Sequence, residues 1–137
     1  PAPNDWTSNF GTVTLAPGFT PDPHRATGTS GGSINATTLA PDCRGWIAPR
    51  PDHVLTASGN FANLRIMAKS TSDTTLVVQR PDNTFACNDD SDGRNPVVGG
   101  AFPPGNYRVW VGSYTQNEQA GYTLGFTELP SIQPSSL

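Results

Sequence analysis

Charge is scarce in this chain, and so are long apolar runs. Only 14% of the residues are charged, and the net charge is −3. No basic cluster stands anywhere, so the electrostatic footprint that nucleic acid or an anionic membrane requires is missing. No run of about 18 apolar residues occurs, which excludes a bilayer-spanning helix. A 3.6-residue apolar period is absent too, and with it any amphipathic helix. No basic segment followed by an apolar core opens the sequence. It begins Pro1-Ala2-Pro3, which reads as the processed N-terminus of a secreted or cell-surface protein.

Catalytic vocabulary is equally thin. The two histidines are His24, among prolines, and His53, at a strand start. No G-x-S-x-G elbow occurs, and neither histidine has the close His or Cys company of a zinc site. Several carboxylates crowd into one loop, where a glycosidase pair would line a cleft. The chain reads as a non-enzyme. Its two cysteines, Cys43 and Cys87, lack C-x-x-C spacing; a disulfide suits an exported protein, and buried free thiols are the alternative.

What is present is turn and strand chemistry. Fourteen glycines and fourteen prolines mark frequent turns without reaching low-complexity composition. Strand signals recur roughly every eight to twelve residues from Ser33 onward. Residues 62–69 set Leu64, Ile66 and Ala68 against Asn63, Arg65 and Met67, and residues 106–114 set Tyr107, Val109 and Val111 against Arg108, Trp110 and Gly112. Leu76, Val77 and Val78 form a short apolar run, and Tyr122, Leu124 and Phe126 share a face. This pattern predicts an all-β fold, a two-sheet antiparallel β-sandwich of jelly-roll type over 33–129. Trp110, opposite the Tyr107 face, is the aromatic expected to face a ligand such as a glycan. Asn35-Ala36-Thr37 is the N-x-[ST] sequon, which makes Asn35 an acceptor for N-glycosylation.

Residues 1–32 read differently. Gly11–Ala16 alternates like a strand, three prolines between Pro17 and Pro23 forbid regular pairing, and Thr27–Gly32 is linker-like. The expectation is an extended N-terminal arm whose Trp6, Phe10, Val13, Leu15 and Phe19 fill pockets. It pairs either with its own sheet or, as a donor strand, with a neighbouring copy. Residues 130–137 are Pro/Ser-rich and expected to fray.

The most informative stretch lies between Cys87 and Pro96. It carries Asn88, Asp89, Asp90, Asp92 and Asn95, and closes with Gly93 and Pro96. Oxygen-rich loops suit Ca²⁺, which takes six to eight oxygens at about 2.3–2.6 Å. Asn88-x-Asp90-x-Asp92-Gly93 repeats the opening of an EF-hand loop, but the closing Glu would fall at Gly99 and no helix flanks it. The alternative is a solvated acidic turn. Clustered carboxylates repel unless something neutralises them, which favours the cation.

From Asp42 to Glu128 the chain resembles the bacterial pre-peptidase C-terminal domain. The carrying phrases are Ser70–Val78, Arg80-Pro81-Asp82-Asn83, Cys87-Asn88-Asp89-Asp90, Pro103–Tyr114 and Tyr122-Thr123-Leu124. The resemblance implies a calcium-associated sandwich of secreted proteins, non-catalytic, with relatives that bind collagen or polysaccharide. It also implies that Asp73 and Asp82 lie near the acidic loop. Two functions follow as expectations. One is a structural subunit that assembles head-to-tail into a pilus-like filament of identical copies through its arm. The other is a monomeric module that binds an insoluble extracellular polymer.

Overall fold

The computed structural model describes residues 6–137, so residues 1–5 of the expected arm lie outside the described part. In chain order the strands are β1 (Thr12–Leu15), β2 (His24–Thr29), β3 (Ile34–Asn35), β4 (Trp46–Ile47), β5 (His53–Ala57), β6 (Phe61–Lys69), β7 (Thr74–Gln79), β8 (Phe85–Asn88), β9 (Val97–Phe102), β10 (Gly105–Ser113) and β11 (Gly121–Thr127). Two 3₁₀ turns, Ala36–Thr38 and Pro134–Ser136, complete the regular structure. No helix among the described residues is long and apolar enough to cross a membrane.

The strands form two facing sheets. One runs β1-β5-β10-β4-β3, with β7 also on β10 and β8 on β7; the other runs β2-β11-β6-β9. Every pairing is antiparallel except β1 on β5, which is parallel. The expected all-antiparallel sandwich therefore carries one parallel edge, because the arm approaches β5 from the same end at which β5 begins. Leu55, Leu76, Tyr107 and Val109 from the first sheet meet Leu64, Ile66, Leu124 and Phe126 from the second, all buried. Period-two alternation produces this core, since one face of each strand is apolar.

Strand β10 is buried on its other face as well. Trp110 points away from the main core, as alternation requires, but it is only 5% exposed. The expectation of an outward, ligand-facing Trp110 is thus corrected. Residues 34–48 lie across that face, and Ala36, Cys43, Ile47 and Val77 pack with Trp110 in a second apolar cluster. A Cys43–Cys87 disulfide closes over it. Gly32 admits this cover: a Cβ there would collide with the Ile47 backbone. The glycines read as a flexible linker instead mark a close crossing of two chain segments.

Both chain ends also depart from expectation. His24–Thr29, read as tether, is β2, and its six residues pair with β11 from Phe126 to Gly121. Thr27 and Gly28 gave no apolar signal because β2 is an edge strand. Residues 97–102, where Gly99, Gly100 and Ala101 interrupt the strand formers Val97, Val98 and Phe102, pair with β6 as β9 across a bulge between Phe61 and Leu64. The tail does not fray. Arg65 Nη2 donates to the carbonyls of Leu129 and Ile132, Ser135 N donates to Asp92 Oδ2 at 3.2 Å, and Pro134 is buried. Leu137 lies over Gly125, where a Cβ would displace it. Met67, on the outward face of β6, is fully buried.

A Cys43→Ala/Cys87→Ala variant should lose about 4 kcal/mol of stability, the chain-entropy value for a long loop, here closed across 44 residues. Urea unfolding measures this, and Trp110 emission should shift to the red as its cover loosens.

Candidate metal centre

Strand register brings the acidic residues together. Strand β7 pairs with β8 so that Leu76 faces Asn88 and Val77 faces Cys87. Following that pairing outward carries the turn before β7, with Asp73, to the loop after β8, with Asp89 and Asp90. One carboxylate oxygen from each of Asp73, Asp89 and Asp90 lies within 4.8 Å of the other two. Asp90 is exposed, and the other two are half-buried. Asp73 Oδ1 and Asp89 Oδ1 are shielded from solvent and accept no hydrogen bond.

The electrostatics are those of an unneutralised cluster. Asp73 is held above the ordinary carboxylate range, first by burial and then by the negative charge of Asp90, with Glu118 adding and Arg94 opposing. Burial also raises Asp89, followed by Asp90 and Asp73, while Arg44 opposes. Three carboxylates, two with an oxygen lacking a donor, are a donor set for a hard oxygen-seeking cation. They therefore fit Ca²⁺ on chemistry.

The other expected ligands are engaged in holding the loop. Asn88 Oδ1 accepts from Ser91 Oγ at 2.8 Å and from Val97 N at 3.0 Å. Asn95 Oδ1 accepts from Ser70 N at 3.1 Å, which ties the acidic loop to the turn that carries Asp73. Asp92 and Asn95 form a two-way backbone bridge around Gly93, whose φ of 62° suits a residue without a Cβ. Asp82 caps its own turn, taking Thr84 Oγ1 at 2.6 Å and Thr84 N at 3.1 Å, and these bonds hold its carboxyl below the usual range. Asp82 is not part of the cluster. Asp73, which only the family resemblance suggested, is.

The remaining candidates are dispersed. Trp6 stacks on the Arg108 guanidinium, 3.6 Å from its ring centre. Leu15 is buried in the main core, with Val13 and Phe19 packed against it. Phe10 stands on His53 and Tyr122. Asn35 Oδ1 accepts from Thr37 N and Thr37 Oγ1, capping the first 3₁₀ turn. Tyr114, one of several aromatics that could stack on a sugar but ranked behind Trp110, is half exposed beside the acidic loop, and its N–H donates to the Asp73 carbonyl at 3.0 Å. Its position just past the end of a buried strand was the available signal.

No family model matches the chain. Over 92 residues it is 33% identical to an uncharacterized protein of Synechococcus elongatus, a match spanning 64% of this chain and 66% of that one. The chain thus spans slightly under two thirds of that relative's length. The pre-peptidase C-terminal domain of a collagenase from Bacillus anthracis superposes with a TM-score of 0.55, covering 90% of this chain and 100% of that one at 16% identity. The fold is therefore a pre-peptidase C-terminal-like β-sandwich. A periplasmic inhibitor of g-type lysozyme from Aeromonas hydrophila aligns at a TM-score of 0.37 and 19% identity, covering 85% of this chain and 96% of that one. That likeness is too loose to argue from.

Raised folded-state values mean that Asp73 and Asp89 contribute best below the ordinary carboxylate value of about 3.9 and cost stability as pH rises through their folded values. In chelator, Asp89→Asn should flatten the fall in Tm between about pH 4 and 7. A thermal series over that range checks it, and a variant that tracks the parent at every pH contradicts the strained cluster.

Proposed function

We propose that this chain is a non-catalytic module of an exported protein, rigidified by Ca²⁺ at Asp73, Asp89 and Asp90, that binds an insoluble extracellular polymer. The observation that carries it is the three-carboxylate cluster with two shielded, donorless oxygens. A bound divalent cation would neutralise the repulsion, lock the Ser70–Asp73 turn to the loop after β8, and steady Tyr114 through its bond to the Asp73 carbonyl. An amphipathic aromatic ring on a rigid end is a natural contact for a polymer chain. The likeness to a collagenase domain supports collagen as the first polymer to try, with polysaccharide as the alternative. The disulfide supports an extracellular or periplasmic setting.

The monomeric reading is preferred to a filament of identical copies. Residues 12–15 of the arm occupy the edge of their own β5, in four consecutive pairs from Thr12 with Val54 to Leu15 with Ala57. Donation to a neighbour would first have to strip that edge and expose Leu15.

The test is retention on collagen, chitin and cellulose in Ca²⁺ and in chelator, with sedimentation of the same sample. The expected result is a compact monomer retained on one matrix in Ca²⁺, with Tyr114→Ala losing retention at unchanged Tm. Calcium at a hundredfold over its Kd should add about 2.7 kcal/mol of stability, most of it abolished by Asp90→Ala. Loss of the polymer reading follows from no retention on any matrix; loss of the metal reading follows from an unchanged melting temperature on chelation.

A further inference from the structure

Away from the acidic loop, the N-terminal strap of residues 9–15 closes over two buried titratable groups. Asn9 N donates to the Pro51 carbonyl at 2.9 Å, Phe10 N to the Asp52 carbonyl at 2.8 Å, and Val54 N returns a bond to the Gly11 carbonyl at 3.1 Å. Asn9 Nδ2 adds 3.1 Å to Asp52 Oδ1, while Asp52 Oδ2 accepts from Val111 N on β10 at 2.9 Å. Directly under Phe10, the His53 ring centre lies 5.9 Å away, and His53 Nε2 shares a 2.8 Å hydrogen bond with the Tyr122 hydroxyl of β11. Beside His53 is a cavity of about 70 Å³, walled by Phe10 to Val13 of the strap, by His24 and Ala26 of β2 and by Phe126 of β11. The strap is thus the removable wall over both Asp52 and His53.

We propose that Asp52 and His53 form a counterbalanced latch, in which acid pushes the strap open through one group and shut through the other, so that it stays closed across the acidic range. Around His53 the facing polar groups are the Tyr122 hydroxyl and the His24 ring; around Asp52 they are Asn9, the Val111 N–H and Tyr122. Among the described residues no carboxylate faces the His53 ring to stabilise an imidazolium, and burial holds that ring down to about 4. An opened strap lets His53 protonate at its ordinary value near 6.5. Neutral His53 therefore favours closure above that value, and the advantage is lost as pH falls toward about 4. Burial pushes Asp52 the other way, up to about 6, against its hydrogen bonds from Val111 and Asn9. Its contribution to closure is greatest near and below its ordinary value of about 3.9 and declines as pH rises through about 6. The two windows overlap, and the two displacements are comparable in size and opposite in effect.

Hydrogen exchange of the strap amides, corrected for intrinsic rates and referred to β6, tests this at pH 7 and pH 4. Wild-type protection should change less than about threefold. Asp52→Asn should lose at least about tenfold on acidification and His53→Gln should gain about tenfold, each corresponding to one pKa unit of uncompensated linkage. Variants that both track wild type, or that both move in the same direction, overturn the latch, as does loss of β6 protection in step with the strap. A ring titration of His53 in the wild-type chain needs no variant. A midpoint well below about 6.5 is expected, and an ordinary midpoint overturns the proposal.

Discussion

Strand β10 is buried on both faces over most of its length, and most of the architecture answers that constraint. Tyr107, Val109 and Val111 enter the space between the sheets, while Trp110 enters the second cluster on the outside. A strand flanked by β5 on one edge and β7 on the other has its main-chain groups satisfied, so what remains is side-chain cover. Leaving Trp110 in water would forfeit burial of a side chain that ordinarily contributes several kcal/mol. Residues 34–48 supply the cover, held at one end by short β3 and β4 pairings and at the other by the disulfide. Trp6 covers the neighbouring stretch over Arg108.

The same disulfide links that cover to the candidate metal centre. Cys87 is in β8, an edge strand of four residues that pairs with β7 and carries the chain directly to Asp89 and Asp90. An isolated edge this short has little stability of its own. The covalent bond behind the loop and the Asn88 and Asn95 hydrogen bonds within it are what hold three like charges at one corner. Their repulsion is therefore built into the fold and available to be relieved by a cation. The Tyr114 end of the sandwich is tied to this corner by the bond from the Tyr114 N–H to the Asp73 carbonyl.

The two ends of the chain behave alike for a related reason. A sandwich made from short strands exposes edges and outward apolar residues that a small domain cannot leave bare. The N-terminal strap closes the β5 edge and walls in His53, and the C-terminal segment lies across the outward face of β6 and β11, covering Met67 and Gly125. The N-terminal segment showed strand-like alternation only over Gly11–Ala16, and the Pro/Ser-rich C-terminal segment showed none. The N-terminal strap is fastened by backbone–backbone bonds to Pro51, Asp52 and Val54 and by its pairing with β5, the C-terminal segment by its carbonyls meeting long polar side chains, such as Arg65 with Leu129 and Ile132.

Local alternation determined three long strands and their inward faces, β6, β10 and β11, while β7 was marked by its apolar run Leu76-Val77-Val78. The concentration of Asn and Asp after Cys87 likewise marked a loop and its chemistry. Which oxygens converge was decided by tertiary structure: the β7–β8 register brings Asp73 to Asp89 and Asp90, while Asn88, Asp92 and Asn95 turn to backbone donors. Alternation sent Trp110 outward correctly, but a segment more than sixty residues away in sequence covers it. Likewise β2, the docked tail and the Asp52–His53 pair under the strap depend on partners remote in the chain. Periodicity reports which way a side chain points; what it meets there is set by long-range packing.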